Sequence, residues 1–476
     1  MPNRFTENFF ALFLTFLFGF FLANQLIEDK WWLLSIPILL TFFVYYLFRL
    51  DQFLMFVVFC APFSLSLSEL GFFFEGVDIL FPTEFFLFGF LCLISFKMIR
   101  QVEPFKKILA HRISFYLFIY LIWMCFCSIT STMPAVSFKL FITRLWYIVP
   151  CFVFAALIFN KNHNRIIDFV IAYCVSFSVV IIHTLIKHSA YDFSGPSSNW
   201  VVSPFFDDHT SYGAMLAFFM PILFLFSISS KVKNLYRAIS LFCFFLFSVA
   251  LIFSYTRAAW VSLFGAIILG FFIRLELKPK HIISCCLLVL FFLLPFRNQL
   301  SSIVSDNKQD SSSSFTEHIQ SIYNIKSDAS NMERINRWKC AINMFKERPI
   351  VGFGPGTYQF QYGVFQMHRD KTIISTNSGD MGNAHSEYLG ALSETGFIGL
   401  GLFLLLISSI FQRAVSLYYS EKNSLFKTYL LGSTIGLMTY FIHGLFNNFL
   451  DMDKAAIPLW FFVAIIVFLD LKRFKT

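Results

Sequence analysis

The chain has 476 residues, of which 57% are hydrophobic and only 14% are charged, and its formal net charge is +9. A soluble domain is about half apolar and about a quarter charged, so this composition excludes an ordinary soluble protein. The sequence shows no basic stripe interleaved with aromatic residues of the kind that binds nucleic acid. We therefore expect an integral membrane protein that contacts membrane lipids and no nucleic acid.

Long apolar runs, such as FFALFLTFLFGFFLA from Phe9, recur along the chain. They approach the roughly 20 residues that a helix needs to cross the hydrocarbon core, where a broken backbone would find no water. The expected helices span residues 9–27, 31–48, 53–67, 79–96, 113–131, 138–159, 166–186, 211–229, 236–254, 258–274, 281–297, 388–411, 426–447 and 456–471. The sequence thus predicts an all-α, polytopic bundle of about 12–14 transmembrane helices.

Lysine and arginine collect in alternate loops of this arrangement, as in residues 97–112. The short loop 68–78 falls on the opposite side and carries only the acids Glu69, Glu75 and Asp78. Because cytoplasmic loops are the ones enriched in lysine and arginine, we expect both termini to be cytoplasmic. A miscounted helix would invert every later loop, so the agreement along the chain supports the helix count.

One long polar segment, residues 298–386, interrupts the helices and falls on the outer side. It divides the chain into a first membrane region of eleven helices, residues 1–297, and a second of three helices, residues 387–476. We refer to residues 298–386 as the cap, because this segment is expected to cover the outer face of the bundle.

Within the cap, ERINRWKCAINMFKER places Ile335, Trp338, Ile342 and Phe345 at i, i+3, i+7 and i+10, which predicts an amphipathic helix. The glycines that follow, in GFGPGTYQF from Gly352, are too closely spaced for a phosphate-binding loop and follow no parallel strand, so we expect turns there. The cap is therefore predicted to be a partly ordered loop that contains short helices.

Charged and polar residues at membrane depth or at its edge are costly, so each raises a functional question. In the predicted topology these residues converge on the outer side, at the ends of several helices. They are Arg144, Asp207, Asp208, His209, Arg257, Arg334, Arg337, His385 and Glu387. This convergence indicates a functional site at the outer face, next to the cap.

His385 is the strongest catalytic candidate. In NAHSEYLGALSETGFIGLG, Asn383 is expected to cap a helix whose free N–H groups attract phosphate oxygens. An imidazole at that position can accept a proton from an attacking hydroxyl near neutral pH. The alternative is an interfacial histidine that bonds a loop carbonyl.

The arginines are candidates for binding a diphosphate. Arg257, in SYTRAAW, stands between two apolar helices, and a guanidinium offers phosphate oxygens a planar and permanently charged fork. Arg334 and Arg337 lie three apart on one helix and so face nearly the same way. The alternatives are an arginine that reaches the membrane interface for Arg257 and a solvated charged face for the other two.

Two further polar groups precede or follow membrane helices. The D-D-H run from Asp207 to His209 is a weak metal pattern without further ligands, and an N-cap is the alternative. His443, Asn447 and Asp451 recur every four residues, which places them on one face of the predicted helix 426–447, as helix packing or as substrate contacts. Contacts with the substrates are expected for Arg144, His209, Glu387, His443 and Asn447, and no metal site is expected.

Four stretches carry a family resemblance. GFGPGTYQF and NAHSEYLGALSETGFIGLGLF, preceded by FFDDHTSYGAML and SYTRAAW, resemble the O-antigen ligase and polymerase family of bacterial envelope proteins. The resemblance covers the chain from about residue 200 to 410, and the N-terminal half is similar only in being helical and apolar. Its most specific part is His385-Ser386 followed by Glu394, Gly396 and Gly399.

The resemblance implies glycan transfer at the periplasmic face of the bacterial inner membrane, from an undecaprenyl-diphosphate carrier to an acceptor hydroxyl. No nucleotide sugar, metal or other cofactor is implied. The family's essential arginines and loop-end histidine map onto Arg257, onto Arg334 or Arg337, and onto His385. Fixed guanidinium groups would stabilise the departing diphosphate while His385 accepts the proton of a hydroxyl that attacks from the opposite side. Inversion at the anomeric carbon is therefore expected.

The acceptor distinguishes the two activities in this family. A ligase uses lipid A–core and a polymerase uses another lipid-linked repeat, and the well-formed histidine pattern favours a ligase. A transporter or flippase is the alternative from another class. It predicts functional polar groups near the bilayer midplane and an internal repeat, whereas here they lie at the outer face beside the cap. A scaffold protein of the cell envelope without catalytic activity is a further alternative.

Overall fold

A computed structural model describes residues 48–71, 79–277, 329–367, 371, 375 and 382–473. The chain divides into two compact units, Met1–Phe56 and Val57–Thr476. Of the first unit only residues 48–56 are described. The predicted helices 9–27 and 281–297 and nearly all of 31–48 lie outside the described residues, as do residues 298–328 of the cap.

The described chain is mostly helical and contains almost no strand, which confirms the all-α fold. Its helices are α1 (Leu50–Cys60), α2 (Thr83–Arg100), α3 (Glu103–Leu109), α4 (Arg112–Ile129), α5 (Pro134–Ile148), α6 (Ala155–Lys161), α7 (Arg165–Ser189), α8 (Ser198–Val201), α9 (His209–Ile228), α10 (Asn234–Phe253), α11 (Arg257–Arg274), α12 (Ala329–Glu347), α13 (Tyr358–Gln361), α14 (Glu387–Ser420), α15 (Ser424–His443) and α16 (Asp453–Arg473). A π-helical stretch, Val149–Phe154, joins α5 to α6, and 3-10 turns occupy Ala61–Phe63 and Tyr362–Phe365. Two-residue strands, β1 (Leu65–Ser66) and β2 (Leu80–Phe81), pair antiparallel.

Within the described residues, eight helical stretches are long and apolar enough to cross a membrane. The bent pair α2 and α3, which meet at 106°, adds a ninth if it counts as one span. A polytopic bundle is therefore confirmed.

The predicted helix 53–67 is wrong at its C-terminal end. Helix α1 stops at Cys60, Pro62 lies in the 3-10 turn that follows, and residues 65–66 form β1. Proline has no amide hydrogen to donate, so it disfavours continuation of an α-helix. The apolar stretch that results, Leu50–Phe63, is shorter than the other candidate spans.

Helix α16 is the centre of the bundle. Of its most apolar stretch, 94% of the residues are buried, and the helix packs against α5, α6 and α15. A helix that is hydrophobic on every side is expected in such an interior position. The Phe169 and Phe461 rings stack there with centroids 3.6 Å apart. In helix α10 only 28% of the residues of the most apolar stretch are buried, and Phe242 and Phe245 point outward, as expected for a lipid-facing helix.

The packing of α9, α11 and α15 positions the candidate site. Both α9 and α11 contact α15, and the starts of α9 and α11 lie together because the Thr256 hydroxyl donates to the His209 carbonyl at 2.7 Å. The end of α15 reaches the same place, since the His443 ring faces the backbone of Ala258. We call this the cap end of the bundle, because α12 also contacts the start of α14 there.

The predicted amphipathic cap helix is present as α12, but its apolar positions Ile335, Trp338 and Phe345 are only half-buried. The residues that enter the core of the cap are Cys340, Ala341 and Met344, whereas Ile342 is 38% exposed. The buried face also contains the Glu333–Arg337 ion pair. Paired charges tolerate burial, so the apolar pattern alone did not identify the buried face.

The glycine-rich stretch after α12 forms turns, as predicted. Gly354 has a φ of 111°, and an added Cβ would clash with the Ser131 side chain between α4 and α5. The Gly354 N–H donates to the Glu394 carbonyl at 2.9 Å. This loop therefore packs between the α4–α5 connection and α14, and at position 354 only a residue without a Cβ fits.

Helix α14 is broken at Gly396, whose φ of 69° is left-handed. The Pro349 carbonyl accepts the N–H of Phe397 at 2.9 Å, and the Thr395 carbonyl accepts the Trp123 Nε1–H at 2.9 Å. These bonds satisfy main-chain groups that the break frees, as an interruption within a membrane helix requires. The E-x-G-x-x-G part of the motif thus ties the start of α14 to the loop after α12.

Candidate active site

His385 lies in a tight turn immediately before α14. Its φ is 48°, and its N–H donates to the Asn383 side-chain oxygen at 3.0 Å. The Trp338 Nε1–H of α12 donates to the His385 carbonyl at 3.1 Å. A non-glycine residue in this strained conformation is held by its surroundings, and such residues cluster at functional sites.

The His385 ring contacts a chain of polar groups. Its Nδ1 lies 3.3 Å from Asn447 Oδ1, and Asn447 Nδ2 lies 3.1 Å from His443 Nε2. An amide oxygen only accepts and an amide nitrogen only donates, so His385 carries its proton on Nδ1 and His443 Nε2 is an acceptor. His385 Nε2 therefore keeps its lone pair.

Asn447 and His443 are not on one helical face with Asp451. Helix α15 ends at His443, short of the predicted residue 447, and the chain turns at residues 444–446. Asp451 instead pairs with Arg144, at 2.7 Å from Nη2 to Oδ1. The prediction that all three residues lie on one helical face is therefore wrong, because Asn447 and Asp451 follow the end of the helix, although His443 and Asn447 are in contact.

Arg257 is the first residue of α11, at the cap end. Thr256, directly before it, bonds His209, and Ala258, directly after it, faces the His443 ring. No side-chain cap bond occupies the N-terminus of α11. The structure therefore brings Arg257, His209 and the His385–Asn447–His443 chain to the same end of the bundle.

The two cap arginines differ. Arg337 is buried, its Nε donates to Glu333 Oε1 at 2.6 Å, and its guanidinium stacks 3.8 Å from the Tyr362 ring centre. A Cβ on Gly382 would clash with this guanidinium, so the chain leading to His385 packs directly on it. Arg337 is thus engaged as a support for the loop.

Arg334 faces the histidines. It lies one helical turn before Trp338, which bonds the His385 carbonyl, so the two side chains share a face of α12. Its positive charge acts on His385 and on His443, and that of Arg337 acts on His385 alone. Of the two arginines that the sequence left undecided, Arg334 is therefore the one whose charge acts on both imidazoles.

Burial, and then the positive charge of Arg334, lower the pKa of His385 to about 4. The Asn447 bond and the carboxylate of Asp208 act in the opposite direction and are outweighed. The imidazole is therefore neutral near pH 7, with a lone pair on Nε2. This is the state in which it can accept a proton.

Asp208 is the N-cap of α9. Its Oδ1 accepts the Ser211 N–H at 2.7 Å and the Thr210 hydroxyl at 2.6 Å. Among the described residues, no group of three or more His, Cys, Asp or Glu side chains is arranged to hold a metal ion. The N-cap interpretation of the D-D-H run is thus confirmed for Asp208.

The expected phosphate site at the N-terminus of α14 is wrong in its details. Ser386, not Asn383, is the N-cap, and its hydroxyl accepts the Leu389 N–H at 3.4 Å. The Glu387 N–H already donates to the Gly444 carbonyl at 2.9 Å. Because these donors are occupied, the arginines remain the better groups for phosphate oxygens.

Glu387 connects α14 to the end of α15. Its Oε1 accepts from the Tyr440 hydroxyl at 2.7 Å and from the backbone of Phe449 and Leu450 at 2.8 and 3.0 Å. The carboxylate thus fixes the segment that carries Asn447. Its predicted role in substrate contact gains no support from these bonds, although the residue also borders a cavity.

A cavity of 770 Å³ lies beside the His385 turn and contains the Arg144–Asp451 pair. Asn383, Ala384, Ser386 and Glu387 line it, but His385 does not. Lys139, Trp146 and Asn448 are further lining residues that the sequence analysis did not select. Lys139 could have been identified from the sequence as a charged residue inside an apolar helix. Nothing in the sequence distinguishes Asn448 from its neighbour Asn447.

Residues 242–404 match a family model described as O-Antigen ligase, and no curated protein matches the chain. The matched region includes Arg257, Arg334, Arg337, His385 and Glu387. The other expected contact residues, Arg144, His209, His443 and Asn447, lie outside it. The match confirms the resemblance that the sequence motifs indicated. With the helical bundle, it also supports a multi-pass bacterial membrane protein.

Proposed function

We propose that this chain, a member of the O-antigen ligase family by its residues 242–404, transfers a glycan from undecaprenyl diphosphate to an acceptor hydroxyl at the periplasmic face of the inner membrane. The observation that carries the proposal is the His385–Asn447–His443 chain lying beside Arg334 and the start of α11. Glycosyl transfer needs a proton acceptor and a site for a departing diphosphate, and these residues supply both.

His385 is the proposed general base. Asn447 holds the Nδ1–H form, so the lone pair on Nε2 receives the proton of the acceptor hydroxyl. The hydroxyl oxygen forms the new bond to the anomeric carbon as the bond from that carbon to the diphosphate oxygen breaks. The leaving diphosphate takes the electron pair, and attack from the opposite face inverts the anomeric centre.

Arg334 and Arg257 are the proposed diphosphate ligands. Guanidinium groups fixed before the reaction stabilise the negative charge that develops on the leaving oxygen, and they act most strongly where water is excluded. Arg337, locked between Glu333 and Tyr362, acts by supporting the loop that carries His385.

A bound diphosphate would also strengthen the base. The positive charge of Arg334 contributes to the low pKa of His385 in the unliganded protein. Two phosphate charges beside Arg334 would offset that effect and raise the pKa of His385 toward neutrality. The base would then be strongest when the donor is in place.

The ligase reaction, with lipid A–core as acceptor, is the preferred form, and the polymerase reaction of the same family is the second candidate. A transporter remains the alternative from another class. The polar chain at the end of α15, beside the cap, favours chemistry at one face of the membrane, because a transporter is expected to bind near the midplane.

The test is a strain that lacks the gene and receives it back as wild type or as His385→Ala, at matched protein levels. We expect His385→Ala to abolish the surface polysaccharide ladder. Free polymer retained on its carrier would identify a ligase, and a single attached repeat would identify a polymerase. A normal ladder would contradict the catalytic role of His385.

A further inference from the structure

The cavity beside the His385 turn is not explained by the proposed chemistry. Its volume of 770 Å³ is within the range of small-molecule sites, about 300–1,000 Å³. It lies between α4, α5, the start of α14 and the loop before α13. The four residues that flank His385 line it, so a molecule bound there would touch the segment that positions the base.

The charge of the cavity disfavours a phosphate ligand. Its lining contains two cationic side chains, Arg144 and Lys139, and four acidic ones, Glu84, Glu387, Glu394 and Asp451. Arg144 is already paired with Asp451. By formal charge, the described part of the lining therefore has no excess of cations, in contrast to the arginines beside His385, and it suits a neutral or cationic ligand.

Buried polar atoms at the cavity lack protein partners. Among the described residues, Arg144 Nε and Asn448 Oδ1 are buried and make no hydrogen bond, and the only group facing Trp146 Nε1 is the neighbouring Tyr147 hydroxyl. All three side chains line the cavity. A buried polar group without a partner costs roughly 1–3 kcal/mol, so a ligand that offers both donors and acceptors would gain by binding here.

Aromatic side chains complete the lining, with Tyr120, Trp146 and Phe360 among them. A sugar ring has apolar C–H faces, which pack on aromatic rings, and hydroxyl edges, which both donate and accept hydrogen bonds. The lining thus combines the two kinds of contact that a glycan makes and lacks the surplus cations that a diphosphate needs.

We propose that this cavity is a glycan subsite that holds neutral or amino sugars next to the diphosphate site. The inference rests on the proposed function and adds the location at which sugar units are recognised. These units belong either to the donor glycan or to the acceptor, and kinetics with each substrate varied in turn distinguish the two sources.

The experiment uses the full-length protein in lipid nanodiscs, with undecaprenyl-diphosphate-linked glycan and lipid A–core isolated from the bacterium that encodes it. Trp146→Phe and Asn448→Leu each remove a polar group that lines the cavity. Trp460→Phe is the matched control, because Trp460 Nε1 is also buried without a partner among the described residues but lies away from the cavity.

We expect both cavity variants to raise the KM for one glycan substrate by about 2- to 12-fold, the loss of one hydrogen bond, with kcat within about twofold. Trp460→Phe should leave both KM values unchanged. Thermal unfolding of each variant verifies that it folds. Should Trp146→Phe and Asn448→Leu show the KM values of Trp460→Phe, the subsite is overturned.

Undecaprenyl diphosphate without a glycan provides the second arm as a competitive inhibitor. Its inhibition constant should be unchanged in Trp146→Phe and Asn448→Leu. In Arg334→Gln the inhibition constant should rise, because the diphosphate binds more weakly. Weaker inhibition in the cavity variants would mean that the cavity holds the diphosphate, which overturns the proposal. Absence of transfer by the wild type, or full activity of His385→Ala, would instead refute the proposed function.

Discussion

Asn447 Oδ1 lies 3.3 Å from Nδ1 of His385, across 62 residues of sequence. This contact fixes which ring nitrogen carries the proton and leaves Nε2 as the acceptor. Asn447 is therefore a positioning residue, and its substitution should change the protonation behaviour of His385 without removing the base.

Replacing Asn447 with Leu is expected to reduce kcat by about 10- to 100-fold, the effect of replacing a residue that orients a metal-bound imidazole. Asn447→Asp should retain more activity but alter its pH dependence. A carboxylate beside the ring favours the protonated imidazole and so raises the pKa of His385. The base acts when neutral, so activity is lost as pH falls through that pKa.

The measurement is the pH profile of kcat/KM, which reports the free protein. With the pKa of His385 at about 4, the wild type should keep its activity down to about pH 5. The acid limb of Asn447→Asp should lie at higher pH. Superimposable profiles would show that Asn447 does not act on the base.

Arg334 and Arg337 are expected to separate into a functional and a supporting role. Arg334→Gln should raise the KM for the lipid-linked donor by about 10- to 150-fold, which corresponds to the loss of a charge-assisted hydrogen bond. It should also raise the pKa of His385, because a positive charge near the ring is removed. Kinetics with the donor varied measure the first effect.

Arg337→Gln is expected to act on stability. It leaves the Glu333 carboxylate buried without its partner, which typically costs about 3–5 kcal/mol. Adding Glu333→Gln in the double variant should recover much of the loss. Thermal unfolding in detergent measures the stability of the single and the double variant. An Arg337→Gln protein of wild-type stability with a raised KM for the lipid-linked donor would show that Arg337 binds the donor instead of supporting the loop.

Gly354→Ala is expected to destabilise the protein by about 1–3 kcal/mol. Its left-handed φ of 111° is unfavourable for alanine, and the new Cβ would displace Ser131. Gly401→Ala is the matched control, because this helical glycine has open space around it, and it should be neutral or stabilising by up to about 1 kcal/mol. Equal unfolding temperatures for the two variants would contradict the packing account of the glycine loop.

Asp208→Ala is expected to lower the free energy of unfolding by about 0.5–2 kcal/mol, the effect of losing an N-cap. Asp208→Asn keeps the capping oxygen and should remain close to the wild type. Transfer should persist in the presence of a chelator. A loss of activity in Asp208→Asn that added divalent metal restores would support the metal site instead.

Two features of the protein were predictable from its sequence for clear physical reasons. A membrane helix must be long and apolar, so the described spans followed from hydropathy alone. The glycines of the GFGPG stretch and Gly396 occupy left-handed or closely packed positions. Because such positions favour glycine, they can be recognised in the sequence.

Other features depend on contacts between distant parts of the chain. The burial of Arg337 requires Glu333 and Tyr362, so a pattern that treats charged residues as exposed did not identify the most buried face of α12. The end of α15 at His443 coincides with bonds from the following segment to Glu387. Neither is encoded in local spacing.

The most direct test of the central claim is single-turnover transfer by purified protein in nanodiscs, with saturating lipid-linked donor and acceptor, comparing the wild type with His385→Ala. We predict that the rate of glycan transfer falls by about 10²- to 10⁴-fold, the usual contribution of a general base, while donor binding is retained. A His385→Ala rate within about threefold of the wild type would contradict catalysis by this imidazole.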